Sequence, residues 1–329
     1  MRISILGAGA WGTALACALG ARQQTLLWAR DPAQAQRMEQ LRRNDRYLPG
    51  IDLPEALTVT SDLGRALEHA RGELILLSVP TAALRQIAGE IRAHAYRGAC
   101  TWLCKGLERD TGLLAHQILA AELPGLAAGP LSGPSFAEEV ARALPTALVV
   151  AGSDTLCATV TAAVHGAHLR VYSSDDVIGV EVGGAVKNVL AIGTGIADAL
   201  QLGLNARAAL ITRGLQETRR LGEALGAKGE TFTGLTGLGD LILTCTGDLS
   251  RNRRIGLALG RGVALAQAVE ELGHVAEGVW SASAILARAR ALNVEMPICE
   301  AVCAVLDGRI RARDCVERLL ARDPRAEHG

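Results

Sequence analysis

Aromatic side chains and net charge are the clearest shortages of this 329-residue chain. Only 3% of the residues are Phe, Trp or Tyr, and 34 Lys and Arg balance 34 Asp and Glu. Proteins that bind single-stranded nucleic acid stack bases on aromatic rings along a basic groove. A neutral chain also creates no overall field that attracts polyanions or anionic membranes. The composition therefore argues against a nucleic-acid partner, and any anionic ligand must be bound by a local cluster of residues.

Metal-binding and disulfide motifs are also lacking. The eight cysteines include no CxxC pair, and the nearest spacings, Cys100/Cys104 and Cys299/Cys303, have no pair of histidines close by to complete a zinc site. Most of the cysteines lie in apolar runs, as is typical of free thiols in a reducing compartment. We expect no metal site and a cytoplasmic protein.

Segments for export or membrane crossing are not evident either. Glycines interrupt the N-terminal apolar run and only Arg2 precedes it, so we do not expect a signal peptide. No other stretch reaches the roughly 18 apolar residues that indicate a transmembrane helix. Since 49% of the residues are hydrophobic, the chain is long enough for about two domains with cores of their own.

The first half of the chain begins with a strand, a glycine-rich turn and a helix. Residues 2–6 form an apolar run, and the sequence GAGAWG at 7–12 leads into a helical pattern. In this context Gly7 allows the tight turn, Gly9 lets a pyrophosphate approach the backbone, and Gly12 lets helix and strand pack closely. The helix N-terminus then offers free N–H groups to the phosphates. The pattern predicts a Rossmann-type dinucleotide-binding domain.

The end of the second predicted strand, residues 25–29, bears on the choice between NAD and NADP. The first polar residue there is Arg30, whereas sites that prefer NAD usually place an acid to bind the ribose hydroxyls. Arg30 suits a 2′-phosphate or stacking on adenine. Asp31 is either the ribose acid or, with Pro32 after it, a helix N-cap, and we favour the cap. We therefore expect NADPH to be accepted at least as well as NADH.

Polar residues follow two further predicted strands, at 100–104 and 127–131. Lys105 comes directly after the first, where it can meet a phosphate or lie in solvent. The second leads into SGPSFAEE at 132–139, where Ser135 and Glu138 fit a capping box. The N-terminus of the helix after it has free N–H groups, and capping explains the motif nearly as well as ligand binding does. Additional strands are predicted at 73–79, 146–151 and 169–172.

Helical patterns replace strand patterns near residue 175, which predicts domains at 1–175 and 176–329. Residues 177–204 are apolar on more than one helical face and contain only three ionisable side chains, so a buried helix is expected. The adjacent Gly183 and Gly184 cost a helix about 1 kcal/mol each relative to Ala, which suggests a close approach to the backbone. Lys187 beside them is either a base in a low dielectric or a side chain that reaches the surface.

Two polar segments of the second half could complete a site around Lys187. A glycine turn at 236–239 delivers Asp240, and an opposite charge within about 4–6 Å would keep a buried lysine protonated. Thr244, one helical turn further on, is a weaker candidate for the same network. Ser250 is expected to cap a helix at 251–260, where arginines and free N–H groups suit a phosphate dianion. A solvated basic helix start is the alternative.

Eight sequence blocks together resemble the bacterial NAD(P)-dependent glycerol-3-phosphate dehydrogenase family over essentially the whole chain. They are GAGAWG (7–12), CKGLE (104–108), SGPSFAEE (132–139), GGAVKN (183–188), NARAALITRG (205–214), GLGDLILTC (237–245), SRNRR (250–254) and AEG (276–278). The resemblance implies an α/β Rossmann-type domain followed by an all-α substrate domain like the C-terminal domain of 6-phosphogluconate dehydrogenase. It also implies NAD(P)H-dependent, reversible reduction of dihydroxyacetone phosphate to sn-glycerol 3-phosphate, which supplies glycerophospholipid synthesis.

The resemblance further implies roles for individual residues. Lys187 would be the proton donor or acceptor. Asp240 is expected, on the electrostatic argument above, to keep Lys187 charged and so to be the second catalytic residue. The implied substrate-binding residues are Lys105, Gly133, Ser135, Lys187, Asp240, Ser250, Arg251 and Asn252. The cofactor set combines the glycines Gly7, Gly9 and Gly12 with Ala10, Trp11, Arg30, Lys105, Ala137, Arg251, Val275 and Glu277. Ala10 departs from the family pattern, since many members have Ser there, but its backbone N–H remains.

Two other functions stay open on the sequence alone. A β-hydroxyacid dehydrogenase would share the two-domain plan, but in that group Asn commonly follows the catalytic Lys by one helical turn. Here Asn188 is adjacent and position 191 is Ala. A non-catalytic dinucleotide sensor would bind the cofactor without oxidising it. A homodimer is plausible for the family, and nothing in the residues requires it.

Overall fold

The computed structural model describes residues 1–166, 168–273 and 276–320, with side chains as far as residue 316. Its ten strands are β1 (Arg2–Leu6), β2 (Gln24–Trp28), β3 (Arg43–Asn44), β4 (Leu48–Asp52), β5 (Thr58–Thr60), β6 (Leu74–Leu77), β7 (Ala99–Trp102), β8 (Ala128–Ser132), β9 (Thr146–Ala151) and β10 (Leu169–Ser174). The helices of the first half are α1 (Ala10–Gly20), α2 (Pro32–Leu41), α3 (Leu63–His69), α4 (Thr81–Ala93), α5 (Ala115–Glu122), α6 (Ala137–Ala141) and α7 (Asp154–Val164).

From residue 176 onward, the described residues form helices joined by turns and contain no strand. Its helices are α8 (Val177–Ala199), α9 (Gly203–Ala224), α10 (Asp240–Thr246), α11 (Arg251–Gly260), α12 (Leu265–Leu272), α13 (Glu277–Ala291), α14 (Pro297–Leu306) and α15 (Ala312–Leu320). A 3₁₀ turn at Gly229–Thr233 and a π-helical turn at Leu235–Gly239 precede α10.

Eight strands form one sheet in the order β10-β9-β8-β7-β6-β1-β2-β5. From β8 to β5 the strands are parallel, and β9 and β10, parallel to each other, run antiparallel to β8. The segment β5-β2-β1-β6-β7-β8 has the strand order of a dinucleotide-binding sheet, whose ligands lie at the carboxyl ends of the strands where the order reverses. The predicted Rossmann-type fold is therefore confirmed.

Alternate residues of each strand feed the two faces of this sheet. Ile3 and Ile5 pack with α1 and α7, whereas Leu6 and Leu77 pack with α3, α4 and α5 on the other face. Because helices cover both faces, the strands read as continuous apolar runs. The buried sheet fixes the positions of the loops that follow β1, β6, β7 and β8.

Helix α8 is the axis of the helical half, surrounded by α9, α10, α11, α13 and α14. It is long and apolar enough to cross a membrane by length and composition, but 89% of the relevant window is buried inside the protein. A helix that is apolar all round suits the core of a large domain. The sequence therefore predicted its burial correctly.

Several local predictions need correction. The helix expected over 177–204 ends at Ala199, because Gln201 and Gly203 adopt positive φ angles of 57° and 84° and the chain turns into α9. Helix α9 consequently begins at Gly203. Ser135 does not cap α6: its hydroxyl donates to the carbonyl of Gly133, and Phe136 is an N-cap without a side-chain hydrogen bond.

Other predictions of helix starts are confirmed. Asp31 caps α2 by accepting a hydrogen bond from the N–H of Ala33, with Pro32 as the first helical residue. Ser250 caps α11 by accepting from the N–H of Arg253. The short strands β3, β4 and β5 were not predicted.

Candidate active site

The glycine-rich turn after β1 has the shape of a phosphate cradle. Gly7 has φ +121°, and a Cβ there would lie 2.4 Å from the carbonyl oxygen of Ser78. A Cβ on Gly12 would lie 1.9 Å from the carbonyl oxygen of Gly7, whereas a Cβ on Gly9 would meet nothing within 4 Å. Gly9 caps α1 without a side-chain hydrogen bond, so the first N–H groups of α1 remain available to an anion. The turn therefore fits the pyrophosphate of a dinucleotide.

Four further predicted cofactor residues lie on the segments next to this turn. Ala10 and Trp11 begin α1, and the indole Nε1 of Trp11 donates to the carbonyl of Ser135, 3.1 Å away. Ala137 begins α6, which packs on α1. Arg30 is exposed at the end of β2. Val275 lies outside the described residues.

Lys187 and Lys105 share one buried carboxylate. Asp240 is 1% exposed and begins α10. Its Oδ1 accepts a hydrogen bond from Lys187 Nζ, and its Oδ2 lies 2.7 Å from Lys105 Nζ. Lys187 Nζ also donates to Thr244 Oγ1 at 3.0 Å, the contact expected if that segment is helical. Two ammonium groups from different domains thus meet on a single acid.

The charge imbalance of this cluster decides its protonation behaviour. Burial lowers the pKa of Lys187; the carboxylate of Asp240 acts in the opposite direction, and the ammonium of Lys105 lowers it again. Burial alone would raise the pKa of Asp240, but Lys105 and Lys187 bring it below its usual value. Asp240 therefore stays ionised and offsets only part of the cost of burying Lys187. Lys187 can lose its proton more readily than an exposed lysine.

Lys187 is buried, so the alternative in which it reaches the surface is wrong, and the close approach to the backbone expected at Gly183 is made by protein atoms. Lys187 is 6% exposed. A Cβ on Gly183 would lie 2.5 Å from the carbonyl oxygen of Thr236, so the π-helical turn takes up the space there. On Gly184 a Cβ would make ordinary contacts at 3.4 Å with Lys105 Cγ and Ser132 Oγ. The glycines allow the segment that carries Asp240 to approach α8.

The start of α11 lies beside this cluster. Asn252 Nδ2 donates to Asn188 Oδ1 at 2.9 Å, and Asn188 Nδ2 donates to the carbonyl of Lys105 at 3.2 Å. Arg251 is exposed, and its guanidinium makes no hydrogen bond or ion pair with the described part of the chain. Protein atoms nevertheless surround it closely enough that desolvation lowers its pKa, and Glu277 acts in the opposite direction. An arginine stays charged under these conditions, which leaves a cation free for an anionic ligand.

Gly133 and Ser135 lie on the opposite wall, after β8. The carbonyl of Gly133 accepts from Lys105 Nζ at 3.3 Å and from the hydroxyl of Ser135 at 3.1 Å. Gly133 has φ +140°, and a Cβ would lie 2.7 Å from the carbonyl oxygen of Ala147. A residue with a side chain would therefore displace the loop that positions Lys105.

Glu277 joins the two halves of the cleft. Its Oε1 accepts from the N–H of Thr81 at 3.3 Å, and its Oε2 accepts from the N–H of Lys105 at 3.1 Å. Burial raises the pKa of Glu277, and these two N–H groups act in the opposite direction. The first residue of α13 thereby holds the ends of β6 and β7 next to α11.

Sequence reasoning missed several residues that shape the site. Asn188, Thr81 and Ser132 belong to it, and Ser132 Oγ is buried without a hydrogen-bond partner in the described residues. Asn188 was visible beside Lys187, but only the fold brings it between Lys105 and Asn252. In the described residues no group of three or more His, Cys, Asp or Glu side chains could hold a metal ion.

Comparison with known proteins agrees with this geometry. The N-terminal sequence model of NAD-dependent glycerol-3-phosphate dehydrogenase matches residues 2–158, and the C-terminal one matches residues 176–317. The chain is 57% identical over 330 residues to glycerol-3-phosphate dehydrogenase [NAD(P)+] of Methylibium petroleiphilum, covering 99% of this chain and 98% of the relative. It is 58% identical over 332 residues to the protein of the same name from Burkholderia lata, covering 99% of this chain and 100% of that one.

A solved structure shows the same fold throughout. Glycerol-3-phosphate dehydrogenase of Coxiella burnetii superposes with a TM-score of 0.93 at 43% identity, covering 97% of this chain and 98% of that one. The family sequence models, the relatives and the fold agree over both halves of the chain. The chain therefore belongs to the NAD-dependent glycerol-3-phosphate dehydrogenase family.

Proposed function

We propose that this cleft catalyses the reversible, NAD(P)H-dependent reduction of dihydroxyacetone phosphate to sn-glycerol 3-phosphate, which supplies glycerophospholipid synthesis. The observation that carries the proposal is the shared carboxylate of Asp240, which holds Lys187 and Lys105 at the carboxyl ends of the parallel strands. Beside it lie a glycine turn that fits a pyrophosphate and an arginine free to bind a phosphate. A hydride acceptor with a phosphate group suits that combination.

Lys187 is the proposed proton donor and acceptor. When bound, the reduced nicotinamide supplies a hydride to the carbonyl carbon, and negative charge develops on the carbonyl oxygen. The Lys187 ammonium stabilises that charge and transfers its proton to the oxygen. Its lowered pKa favours this transfer, and Asp240 and Thr244 hold Nζ in place. The reverse reaction uses the neutral amine as the base.

The substrate phosphate is proposed to bind at the start of α11. Arg251 offers its guanidinium there, and the first turn of α11 adds N–H groups and the positive end of the helix dipole. Binding at this remote group orients the carbonyl towards Lys187. The full proposed substrate set is Lys105, Gly133, Ser135, Lys187, Asp240, Ser250, Arg251 and Asn252.

The proposed cofactor set is Gly7, Gly9, Ala10, Trp11, Gly12, Arg30, Lys105, Ala137, Arg251, Val275 and Glu277, with NADPH favoured over NADH. Exposed Arg30 at the end of β2 supports that preference, because Asp31 is engaged as the cap of α2. We expect Arg30→Ala to lower kcat/KM for NADPH while leaving that for NADH nearly unchanged. An equal loss with both cofactors would contradict a 2′-phosphate role.

We further propose domains at 1–175 and 176–329, a homodimer, and a cytoplasmic location. The start of α8 at Val177 after β10 supports the boundary. Leu202 and Leu204 at the start of α9 are exposed at 39% and 73%, and these exposed apolar side chains support an interface between two copies of the chain. Light scattering on the eluted protein tests the dimer, and a monomer at micromolar concentration would refute it.

The decisive experiment follows the absorbance of NADPH when dihydroxyacetone phosphate is added. We expect oxidation by the wild-type chain and a loss of roughly 10²–10⁴-fold in kcat for Lys187→Met, with cofactor binding retained in a fluorescence titration. Thr246→Val, on the exposed side of α10, is the matched control and should turn over normally. If the wild-type chain binds NADPH without oxidising it, the protein is a sensor and the proposal fails.

A further inference from the structure

Two buried charges at the ends of α8 and α11 stand where helix electrostatics disfavours them. Asp198 lies in the last turn of α8, next to the negative end of the helix dipole, and its side chain is 8% exposed. Arg253 lies in the first turn of α11, next to the positive end, and its side chain is 10% exposed. Each placement is unfavourable by itself. Such departures from local rules are concentrated at functional sites.

The two residues compensate each other through a short ion pair. Arg253 Nε donates to Asp198 Oδ2 at 2.9 Å, and Arg253 Nη2 lies 2.8 Å from the same oxygen. Arg253 Nη1 donates to Asp248 Oδ1 at 2.8 Å. The other oxygen of Asp198 accepts from Arg207 Nε of α9 at 2.8 Å. Arg253 is therefore fully engaged, whereas Arg251, two residues earlier, is left free.

Close glycine packing fixes the two helices in one register. A Cβ on Gly256 would lie 2.1 Å from the carbonyl oxygen of Ile192, and one on Gly195 would lie 2.2 Å from that of Arg253. The Asn252–Asn188 hydrogen bond joins the helices one turn earlier. Because the two backbones touch, the helices cannot adjust independently. A change at the Asp198–Arg253 ion pair therefore also shifts the start of α11 relative to α8.

We propose that Asp198 and Arg253 are positioning residues that set the distance between the phosphate-binding start of α11 and Lys187. This inference rests on the proposed function of both sites. Lys187 and Asp198 are eleven residues apart on α8, which places them on nearly the same face about 16 Å apart along the axis. Arg253 links that face to the turn that carries Ser250, Arg251 and Asn252.

A positioning role and a purely structural role differ in which constant changes. In Arg253→Met the local phosphate site keeps Arg251, but one of the contacts that set its distance to Lys187 is lost, while the glycine packing and the Asn252–Asn188 hydrogen bond remain. We therefore expect kcat for dihydroxyacetone phosphate to fall roughly 10- to 100-fold, as for a misplacement of about 1 Å. The inhibition constant of inorganic phosphate, measured against the same substrate, should stay at the wild-type value.

Arg207→Met is the matched control, because it removes the other guanidinium from the same carboxylate without touching α11. It should lower Tm while leaving kcat close to that of the wild type. Arg253→Lys keeps one hydrogen bond to Asp198 and should give an intermediate kcat, and it decides the question if Arg253→Met does not fold. The proposal is overturned if kcat is unchanged in the Arg253 variants, if phosphate inhibition weakens in parallel with kcat, or if Arg207→Met loses as much kcat. A wild-type chain without turnover would instead refute the proposed function.

Discussion

Replacing Asp240 by Asn tests the electrostatics of the site most directly. The substitution keeps the shape of the side chain but removes the negative charge that both ammonium groups share. Lys187 and Lys105 have side chains that are 8% and 17% exposed, so water compensates little. Removing one partner of a buried ion pair typically costs about 3–5 kcal/mol. Here Lys187 can avoid much of that cost by losing its proton.

The expected result is a shift of the pH profile as well as a loss of rate. Reduction of the ketone needs protonated Lys187, so kcat/KM is highest below the pKa of Lys187 and falls as the pH rises through it. Burial has already lowered that pKa, and without Asp240 it should fall further. In Asp240→Asn the falling limb should therefore move to lower pH, and activity at neutral pH should drop roughly 10²–10⁴-fold, the usual contribution of a general acid.

The measurement is kcat/KM for dihydroxyacetone phosphate against pH, with saturating NADPH, for the wild type and two variants. Thr244→Val serves as the comparison, because it removes an uncharged contact to Lys187 Nζ and should shift the limb much less. A falling limb at the same pH in the wild type and in Asp240→Asn would mean that Lys187 is not the group that titrates.

Three further predictions concern other parts of the chain. Arg251→Ala should raise KM for dihydroxyacetone phosphate at least as strongly as it lowers kcat. Arg251→Lys should not restore KM, because an ammonium lacks the planar, bidentate hydrogen-bond geometry of a guanidinium. An unchanged KM would refute phosphate binding at Arg251. Gly183→Ala should lower the free energy of unfolding by about 1–3 kcal/mol, because its Cβ would collide with the carbonyl oxygen of Thr236. Gly89→Ala on α4 should cause no such loss, because a Cβ there meets nothing within 4 Å. Equal Tm values for the two variants would contradict the close packing at Gly183. Burial raises the pKa of Glu217 to about 7, so the folded state favours the protonated carboxyl. Relative to Glu217→Gln, the wild type should therefore lose about 3 kcal/mol of unfolding free energy as the pH rises from about 4.5 to 7. Parallel curves of stability against pH for the two proteins would refute this.

The sequence was sufficient wherever a short segment determines its own structure. The turn at 7–12, the Asp31 and Ser250 caps and the apolar helix α8 depend on local patterns, and all were predicted. The capping box at Ser135 was wrong because α6 begins one residue later than the pattern requires: Phe136 is the N-cap, and the Ser135 hydroxyl donates to the carbonyl of Gly133 instead. The local pattern does not determine at which residue the helix begins.

Contacts between distant segments were predictable only in part. The pairing of Lys187 with Asp240 was predictable, because a buried lysine needs an opposite charge nearby to stay protonated. The second ammonium, from Lys105, adds to the effect of burial in lowering the pKa of Lys187, and predicting it required the sheet to deliver residue 105 to α8. Asp198 and Arg253 were also hidden, since each looks like an ordinary surface charge until its helix ends are placed side by side.

The way Glu277 spans the cleft has a consequence for how the two halves can diverge in sequence. Its carboxylate accepts from the main-chain N–H groups of Thr81 and Lys105, and every residue except proline carries that donor. Side chains at the sheet edge can therefore be exchanged to suit a different nucleotide without removing these two hydrogen bonds between the sheet and the helical half. A chimera that joins this helical half to another dinucleotide-binding sheet needs the same backbone path at these two positions, with freedom in the residues themselves.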